Sequence, residues 1–212
     1  MEKQKGKRRL QKEKTREHIM ETALRVYAEQ GFSVPVGMIA REAGLAHGSV
    51  FLHFPTTEDL LYSTLERFFK RLAEKTHALS GLNGELRTLL RGFLSIIEEH
   101  EAFYKHLIME MHTLPPGTKH MLIALRSINA HHFGTAVKRE IRRGRIKKLP
   151  PRLMFNTWMG MVYYYLQNGE WFAPGQSVIK RCKNDLVNSY IKLIRKDNLE
   201  VKMKKLPARN PL

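Results

Sequence analysis

Cysteine is almost absent from this sequence, since Cys182 is the only one in 212 residues. A lone cysteine excludes an intramolecular disulfide and a zinc site built from several thiolates. Long apolar runs are also missing, because no stretch approaches the ~18 residues that a transmembrane helix requires. The first residues are too basic and too poor in apolar side chains for a secretory signal. These absences predict a soluble, cytoplasmic protein with no membrane partner.

Recognisable catalytic motifs are missing as well. The sequence has no phosphate-binding glycine loop, no zinc-protease helix motif and no nucleophile elbow. The acidic run at 98–101 cannot converge on one ion, because a helix points consecutive residues in different directions. Glu74 and His77 form one Glu-x-x-His pair, whereas a di-metal bundle needs two. A cavity lined by His112, His120, His131 and His132 is the remaining metal alternative. We predict no enzyme, no metal site and no cofactor.

Positive charge, by contrast, is abundant but unevenly distributed. The formal net charge is +17 and the pI is near 10.1, which favours a polyanionic partner such as nucleic acid. Residues 1–16 contain eight lysines and arginines, whereas residues 17–62 contain only Arg25 and Arg41. Another basic cluster spans 138–152. Charge runs of this kind are usually solvated faces, so the sequence leaves open whether this cluster binds an anion.

Two short helices joined by a tight turn are predicted within residues 36–54. Apolar residues recur at helical spacing until Gly44, which can adopt the positive φ that commonly ends a helix; they are Ile39, Ala40 and Ala43. The helical period then restarts in a second apolar set: Val50, Phe51 and Phe54. This spacing is typical of a helix-turn-helix. The outer side of its second helix can enter the major groove of DNA, and it carries Ala46, His47, Gly48, Ser49, Leu52 and His53.

The stretch from Arg16 to Leu60 resembles the DNA-binding domain of the TetR family of transcriptional regulators in order and spacing. The resemblance rests on Ile19, Ala23, Ala28-Glu29-Gln30-Gly31-Phe32, Ile39-Ala40, Ala43-Gly44, Gly48-Ser49-Val50-Phe51, His53-Phe54 and Glu58-Asp59-Leu60. It implies an all-α homodimer with a small N-terminal three-helix domain that binds DNA. It also implies a larger helical domain that dimerises and usually binds a small-molecule inducer.

Four positions depart from the family pattern, and each departure removes a polar group expected to contact phosphate. Val34-Pro35-Val36 stands where the family places Thr or Ser, Ala46 replaces Ser, Phe51 replaces Tyr and Thr57 replaces Lys. Each lost neutral hydrogen bond is worth roughly 1 kcal/mol. Phosphate contacts are therefore expected from other groups: Ser49, His53, the backbone amides near Thr56 and Thr57, and the basic residues Lys7, Arg8, Arg9, Lys12 and Lys14.

Base contacts are predicted from His47, Gly48, Ser49 and Leu52. Histidine and serine can donate or accept, and leucine can touch a thymine methyl group. No Arg, Asn or Gln lies on this face to form a bidentate contact with a base. Direct readout is therefore expected to be weak.

The whole sequence predicts an all-α fold of about nine helices. The predicted boundaries are a basic flexible arm at 1–14, the helix-turn-helix domain at 15–62, a ligand-binding and dimerisation domain at 63–198 and a flexible tail at 199–212. Met and aromatic side chains of the helices that would enclose an inducer pocket are Phe93, Phe103, Met109, Met111, His112, Met121, Trp158, Met161, Tyr164 and Tyr165.

By the family resemblance, the last two long helices pair with their copies across a twofold axis. The dimer residues so predicted are Tyr163, Ile179, Cys182, Leu186, Tyr190 and Leu193. Packing within one chain explains each of these apolar stripes equally well. Cys182 is predicted to be an inert thiol on such a stripe.

These features predict a dimeric, ligand-responsive transcriptional repressor that an apolar or amphipathic small molecule releases from a palindromic operator in double-stranded DNA. The alternative is a helical ligand-binding or scaffold dimer whose sequence-specific DNA binding is weakened or lost, because four polar contacts are missing. An enzyme is a distant third.

Overall fold

The computed structural model describes residues 2–81 and 85–196. Within these ranges the chain forms ten helices and no strand, apart from a single antiparallel bridge between Ile146 and Arg195. The helices are α1 (Glu2–Gln30), α2 (Val36–Glu42), α3 (His47–Phe51), α4 (Thr57–Gly81), α5 (Leu86–Glu99), α6 (Glu101–Glu110), α7 (Pro116–Arg142), α8 (Pro151–Gln167), α9 (Gly169–Phe172) and α10 (Val178–Ile194).

This architecture confirms the predicted all-α fold class. None of the helices in the described ranges is long and apolar enough to cross a membrane. The tail predicted at 199–212 lies outside the described residues, as do 82–84 and 197–198.

Helices α1 to α3 and the first turns of α4 surround a small apolar core. Ile19 and Ala23 of α1, Ile39 of α2 and Leu60 of α4 are all 0% exposed, and Val50 of α3 is 1% exposed. They belong to one buried cluster. Full burial of a branched side chain stabilises a fold by about 1.5–3 kcal/mol, so these contacts fix the position of the short helix α3.

Helix α1 begins earlier than the sequence predicts. Residues 2–14, predicted as a flexible arm, continue α1 as a helix. Lysine, arginine, glutamate and glutamine are good helix formers, and adding residues to a helix that is already nucleated is easier than starting one. Residues 6–14 are all exposed. The basic residues are therefore carried on a solvated helical extension.

The larger domain is built around α4 and α7, which run in the same direction. At their N-terminal ends, the ring of Tyr62 lies 3.4 Å from the position that a Cβ on Gly117 would occupy. Further along both helices, the rings of His77 and His132 are 5.4 Å apart. Helices α5 and α8 pack against this pair, and α10 packs against α5 and α8. Both central helices therefore start beside the small domain and end at the opposite end of the molecule.

A buried carboxylate holds the start of α10. The N–H groups of Val178 and Ile179 donate to Glu101 of α6 at 3.1 Å and 3.2 Å, and the Ser177 hydroxyl also donates to it. The amides of a first helical turn have no intrahelical acceptor, and an anion is favoured there. Lys105 adds a cation 3.2 Å from the same carboxylate. Glu101 thereby fixes α10 to α6.

The apolar stripe of α10 is buried within its own chain. Ile179 and Tyr190 are 0% exposed and Leu186 is 3% exposed. The Tyr190 hydroxyl donates to the Met154 carbonyl at 2.6 Å, and its ring lies 5.1 Å from that of Trp158. These three residues leave no surface for a second copy, so their assignment to a dimer interface is wrong.

The reason for that error is physical. A stripe with alternating steps of three and four residues requires a partner helix, but it does not specify the chain that provides the partner. Here α5 and α8 of the same chain provide it. Tyr163 and Cys182 are half-buried and Leu193 is 58% exposed. These three remain predicted dimer residues.

Candidate nucleic-acid interface

A tight turn sets the geometry of α2 and α3. Gly44 adopts φ +68°, in the left-handed region that a glycine occupies without a Cβ penalty. The Leu45 N–H donates to the Ala40 carbonyl at 2.9 Å, and the Gly44 N–H donates to the Arg41 carbonyl at 3.1 Å. These bonds satisfy the end of α2. Helix α3 then begins at His47, so its orientation is fixed by the backbone.

Helix α3 has one buried side and one exposed side. Val50, and Phe54 just after the helix, are each 1% exposed and face the small core, whereas Leu52 is 76% exposed. Among the other residues predicted to face DNA, three are exposed and two are half-buried: Ala46, His47 and Gly48, then Ser49 and His53. All six therefore retain accessible surface.

Phe51 is the one member of the second apolar set that is exposed. Its side chain is 37% exposed, and its ring lies 5.2 Å edge-on from the ring of His47. Consecutive helical residues point in different directions, and here Val50 faces the core while Phe51 lies at its edge. Phe51 instead covers one side of His47 and restricts the orientation of that imidazole.

Cationic groups converge on the end of α3. The Arg16 guanidinium lies 4.7 Å from the centroid of the Phe54 ring and donates to the Ser63 hydroxyl at 3.1 Å. Beside it, Nδ1 of His53 is buried and has no hydrogen-bond partner among the described residues. Burial first, and then the charges of Lys12 and Arg16, lower the pKa of His53. This region favours an anion.

The sequence-predicted contacts did not include Arg16. Its signal was its spacing, because Arg8, Lys12 and Arg16 are separated by four residues and so share one face of α1. Arg8 and Lys12 are exposed. These three residues form a basic row that runs from the end of α3 along the N-terminal part of α1. Lys7, Arg9 and Lys14 are also exposed but lie outside this row.

The start of α4 is already satisfied by its own residues. The N–H and hydroxyl of Thr56 donate to Oδ2 of Asp59 at 3.1 Å and 2.8 Å, and the Asp59 N–H donates to the Thr56 hydroxyl at 3.0 Å. This is the predicted capping box. It occupies the Thr56 amide, which therefore cannot serve as the phosphate anchor predicted for it. Thr57 is exposed and stays a predicted contact.

A small cavity of about 20 Å³ lies inside the larger domain. Helices α4, α5, α7 and α8 line it through Thr76, Leu89, Leu90, Phe93, Asn129, Phe133, Phe155 and Trp158. The Oδ1 atom of Asn129 is buried and lacks a hydrogen-bond partner among the described residues. A buried acceptor without a donor costs about 1–3 kcal/mol. The arrangement is suited to an apolar molecule that brings one donor.

Two of the predicted pocket residues, Phe93 and Trp158, line this cavity. Phe103 lies elsewhere, with its ring 4.4 Å from that of Phe68 and 5.5 Å from that of Phe32. Of the remaining candidates, three are exposed and four are half-buried: Met109, His112 and Tyr164, then Met111, Met121, Met161 and Tyr165. They do not line the cavity.

Asn129 was missed by the sequence reasoning, although a signal existed. It interrupts the buried stripe of α7, which consists of Leu122, Leu125, Phe133, Ala136 and Val137. A lone amide on a buried stripe needs a partner. In this chain Asn129 lines the cavity, and its Oδ1 atom has no hydrogen-bond partner among the described residues.

Comparison with known proteins identifies the small domain. The family profile of bacterial regulatory proteins, tetR family, matches residues 19–63. TetR-family regulator PfmR from Thermus thermophilus is 21% identical, with 80% of this chain and 96% of that chain covered at a TM-score of 0.63. Residues 19–63 match the TetR family profile, and the whole chain shares the fold of a TetR-family regulator.

Two further transcriptional regulators extend the comparison. The transcriptional regulator FadR from Bacillus subtilis, solved with stearoyl-CoA, is 18% identical, with 84% of this chain and 98% of that chain covered at a TM-score of 0.68. The uncharacterized regulator YuxN from Bacillus subtilis is 30% identical over 91 residues, which are 42% of this chain and 31% of the relative. Matches to curated relatives span 23% to 58% of their lengths.

The small and large domains of this chain meet at Glu110. Its Oε2 atom accepts the Phe32 N–H at 2.9 Å, and its Oε1 atom lies 2.8 Å from Nδ1 of His106. Gly31 has φ +84°, and a Cβ there would lie only 2.3 Å from Glu110 Oε1. The residue after α1 is therefore clamped against α6.

The histidines do not form a metal centre in the part of the chain that the structure describes. No group of three or more His, Cys, Asp or Glu residues there is arranged to hold a metal ion. The rings of His131 and His132 are 5.8 Å apart, while His112 and His120 are exposed. The four histidines considered in the sequence therefore do not line one cavity.

Proposed function

We propose that this protein is a dimeric, ligand-responsive transcriptional regulator that binds a palindromic DNA operator through α3. The observation that carries the proposal is the exposed side of α3, fixed by the Gly44 turn and anchored by buried Val50. A helix presented in this way fits the major groove. The match of residues 19–63 to the TetR family profile supports the same assignment.

The proposed contacts divide into two groups. His47, Ser49 and Leu52 meet base edges, where the first two offer polar groups and the third an apolar contact to thymine. Arg16 and Lys12, beside His53, meet the phosphates that flank the groove. Two copies of α3, one in each protomer, contact half-sites about 34 Å apart, which is one turn of DNA.

The proposed effector site is the cavity beside Asn129. Its ~20 Å³ are far below the 300–1,000 Å³ of ordinary ligand pockets, so binding requires α4, α5, α7 and α8 to separate. Helix α4 carries Thr76 at the cavity. It starts at Thr57, shortly after the end of α3, which we call the reading helix. A ligand that displaces α4 therefore disturbs the spacing of the two reading helices, and ligand and DNA weaken each other's binding by linkage.

The chemistry of the effector follows from the cavity wall. Six of its eight residues are apolar and Asn129 supplies one unpaired acceptor. The structurally similar FadR was solved with stearoyl-CoA, which supports a long apolar chain as the type of ligand. We propose an apolar or amphipathic molecule with a hydrogen-bond donor, and a repressor that this molecule releases from DNA.

The DNA assignment is tested by fluorescence anisotropy with a labelled duplex from the region upstream of the gene and a scrambled duplex. Wild-type protein is expected to prefer the upstream duplex at physiological salt. Leu52→Asp should remove the preference, because it places a negative charge against DNA. The matched control is Ile123→Asp, since Ile123 is a similarly exposed aliphatic residue on α7. Equal loss in both variants would contradict the assignment to α3.

The effector site is tested by tryptophan fluorescence. Trp158 lines the cavity, whereas Trp171 is 78% exposed, so a Trp171→Phe variant reports on the cavity alone. Titration with stearoyl-CoA should change the Trp158 emission and release the upstream duplex. Asn129→Leu should weaken binding of a donor-bearing ligand. A ligand that releases DNA without changing Trp158 emission would place the effector site elsewhere.

The alternative function, a ligand-binding or scaffold dimer that does not read DNA, is favoured by one observation. The exposed side of α3 carries no Arg, Asn or Gln that could contact a base through two hydrogen bonds. Selection from a random DNA library separates the two functions. An enriched palindrome supports the regulator, whereas ligand binding without enrichment supports the alternative.

A further inference from the structure

Positive charge is concentrated at the end of the larger domain farthest from α3. We call this surface the cationic pole. It is formed by the last turns of α7, the loop that follows, the first turn of α8 and the end of α10. Its eleven lysines and arginines are Lys138, Arg139, Arg142, Arg143, Arg145, Lys147, Lys148, Arg152, Lys192, Arg195 and Lys196.

The cationic pole is well separated from the reading helix. Helix α7 starts beside Tyr62 in the first turns of α4, and α4 itself starts next to α3. From Gly117 to Arg142 the helix advances about 37 Å at 1.5 Å per residue. One molecule cannot place both surfaces on the same face of a straight duplex. The pole therefore contributes nothing to base reading by α3.

Backbone bonds hold the segments of the cationic pole together. Gly144 adopts φ +69° and ends α7. The Lys147 N–H then donates to the Ile194 carbonyl at 2.8 Å, and the Lys196 N–H donates to the Arg145 carbonyl at 3.2 Å. Ile146 between them is 5% exposed. The cations of the loop and of α10 are therefore fixed side by side.

Little negative charge opposes these cations. Glu140 accepts hydrogen bonds from Arg143 at 3.1 Å and Arg145 at 3.4 Å. The other nine have no carboxylate partner among the described residues, and all nine except half-buried Arg139 are exposed. A cleft of about 450 Å³ opens between Arg145 and the end of α10, where four cations face two carboxylates, Glu85 and Glu140. A cleft with an excess of one sign of charge focuses the electrostatic potential.

We propose that the cationic pole binds the phosphate backbone of a second segment of duplex DNA, without reading its sequence, while α3 holds the first segment. This proposal rests on the proposed function for the identity of the polymer. DNA bound at α3 keeps further duplex at high local concentration. The protein would thereby bridge two segments of DNA.

Two features favour DNA over an anionic membrane. Six of the eleven cations are arginines, whose planar guanidinium matches phosphate through two hydrogen bonds. Membrane-surface segments, in contrast, combine basic residues with a wide apolar face that enters the bilayer. Near the pole, the large apolar residues with more than 40% exposure among the described residues are Leu149, Leu153 and Leu193, and each of them directly follows a lysine or an arginine in the sequence.

The experiment separates the two surfaces by charge reversal in the full chain. The pole variant is Lys138→Glu/Lys148→Glu/Arg152→Glu, chosen because all three side chains are exposed and none has a carboxylate partner among the described residues. Arg152 lies in the first turn of α8, where an acidic residue is favourable. The charge-matched control is Lys70→Glu/Arg71→Glu/Arg91→Glu on exposed parts of α4 and α5. The reading variant is Lys12→Glu/Leu52→Asp.

Binding of a random 30-base-pair duplex is measured by anisotropy across a salt series. The reading variant should still bind, and adding the pole substitutions should lower its salt slope by about 3 and its affinity at 0.15 M salt roughly 100-fold, because each phosphate contact contributes about 0.9 to the slope. The charge-matched control should leave most of that binding. Wild-type protein on bead-bound DNA should capture a second labelled duplex, and the pole variant should not.

The remaining outcomes are decisive. Equal binding with and without the pole substitutions overturns the proposal. So does pole-dependent binding to phosphatidylserine vesicles without binding to DNA, which would assign the surface to a membrane. If wild-type protein shows no sequence preference but bridging still depends on the pole, the proposed function fails and the second DNA site stands.

Discussion

The two ends of the molecule present opposite kinds of surface to solvent. At the small domain, the exposed side of α3 is nearly uncharged and is fixed by a tight turn and by buried Val50. At the cationic pole, exposed charge is dense, and the segments are held by only a few backbone bonds and one buried glutamate, Glu140. The position of α3 is fixed at the first end, and exposed positive charge is concentrated at the second.

This difference indicates how the two surfaces recognise a duplex. Reading a base requires a side chain held at a defined position in a groove. The core of the small domain meets this requirement by fixing the position of α3. Holding a phosphate backbone requires only charge at the right density, which the exposed lysines and arginines of the pole supply. The small domain should therefore be sensitive to packing changes that the cationic pole tolerates.

The sharpest test of this comparison is a pair of single substitutions to aspartate, one at Val50 in α3 and one at Leu52 just after it. Val50→Asp places an unpaired charge in the small core and should lower the free energy of unfolding by more than about 4 kcal/mol. Leu52→Asp, at a position 76% exposed, should change stability by less than about 0.5 kcal/mol. Both should lose sequence-specific binding. Thermal melts of both variants separate loss of structure from loss of contact.

Two glycines with positive φ provide the next test. Gly31→Ala brings a Cβ to within 2.3 Å of Glu110 Oε1, whereas Gly144→Ala meets nothing within 4 Å. The first should destabilise the protein by about 2–3 kcal/mol, through strain and loss of the clamp to α6. The second should cost only about 1 kcal/mol, from the backbone conformation alone. Chemical denaturation measures both.

If the two glycine variants lost equal stability, the clamp between Gly31 and Glu110 would contribute nothing. Anisotropy with the upstream duplex provides the second readout. Gly31→Ala should weaken specific binding, because α1 positions Arg16 beside α3. Gly144→Ala should leave that binding unchanged.

The same contrast explains what the sequence could predict. The turn at Gly44 and the buried side of α3 are encoded by residues within one short stretch, so local spacing was sufficient to place Val50 inside and Leu52 outside. Arg16 was overlooked because its contacts, Phe54 and Ser63, are distant in sequence.

The larger domain was predictable as helices but not as contacts. The stripe of α10 was read correctly as apolar, yet its partner turned out to be α5 and α8 of the same chain. The prediction of pocket residues was limited in the same way. Met and aromatic residues indicate a core, but they do not show where that core is incompletely packed. Only Phe93 and Trp158 of that set line the cavity. Packing between distant helices decides such questions.

A smaller effect is expected at the cationic pole from Glu140→Gln. The substitution removes the charge that pairs with Arg143 and Arg145 and should cost about 1–2 kcal/mol of stability. It also frees two cations, so binding of a random duplex should strengthen and its salt slope should steepen. Glu85→Gln, an exposed residue at the same cleft, is the control for net charge. Weaker DNA binding in Glu140→Gln would show that positioning, rather than charge, matters at this end.

The smallest expected effect is the pH dependence of DNA binding through His53. Burial, then Lys12 and Arg16, lower the pKa of this imidazole in the free protein, and only Glu13 acts in the opposite sense. A phosphate at the end of α3 favours the imidazolium instead. Binding of DNA should therefore take up a proton, and affinity for the upstream duplex should rise as the pH falls from 8 to 6, by at most about tenfold for one pKa unit.

The stability of the free protein should move in the opposite direction. A histidine whose pKa is lower in the folded than in the unfolded chain binds protons more weakly when folded, so the free energy of unfolding decreases as the pH falls through about 6.5. His53→Gln should flatten both profiles, whereas His120→Gln, an exposed residue in the other domain, should leave both unchanged. A pH-dependent affinity that survives His53→Gln would show that no phosphate approaches this imidazole, and the end of α3 would then act through Arg16 and Lys12 alone.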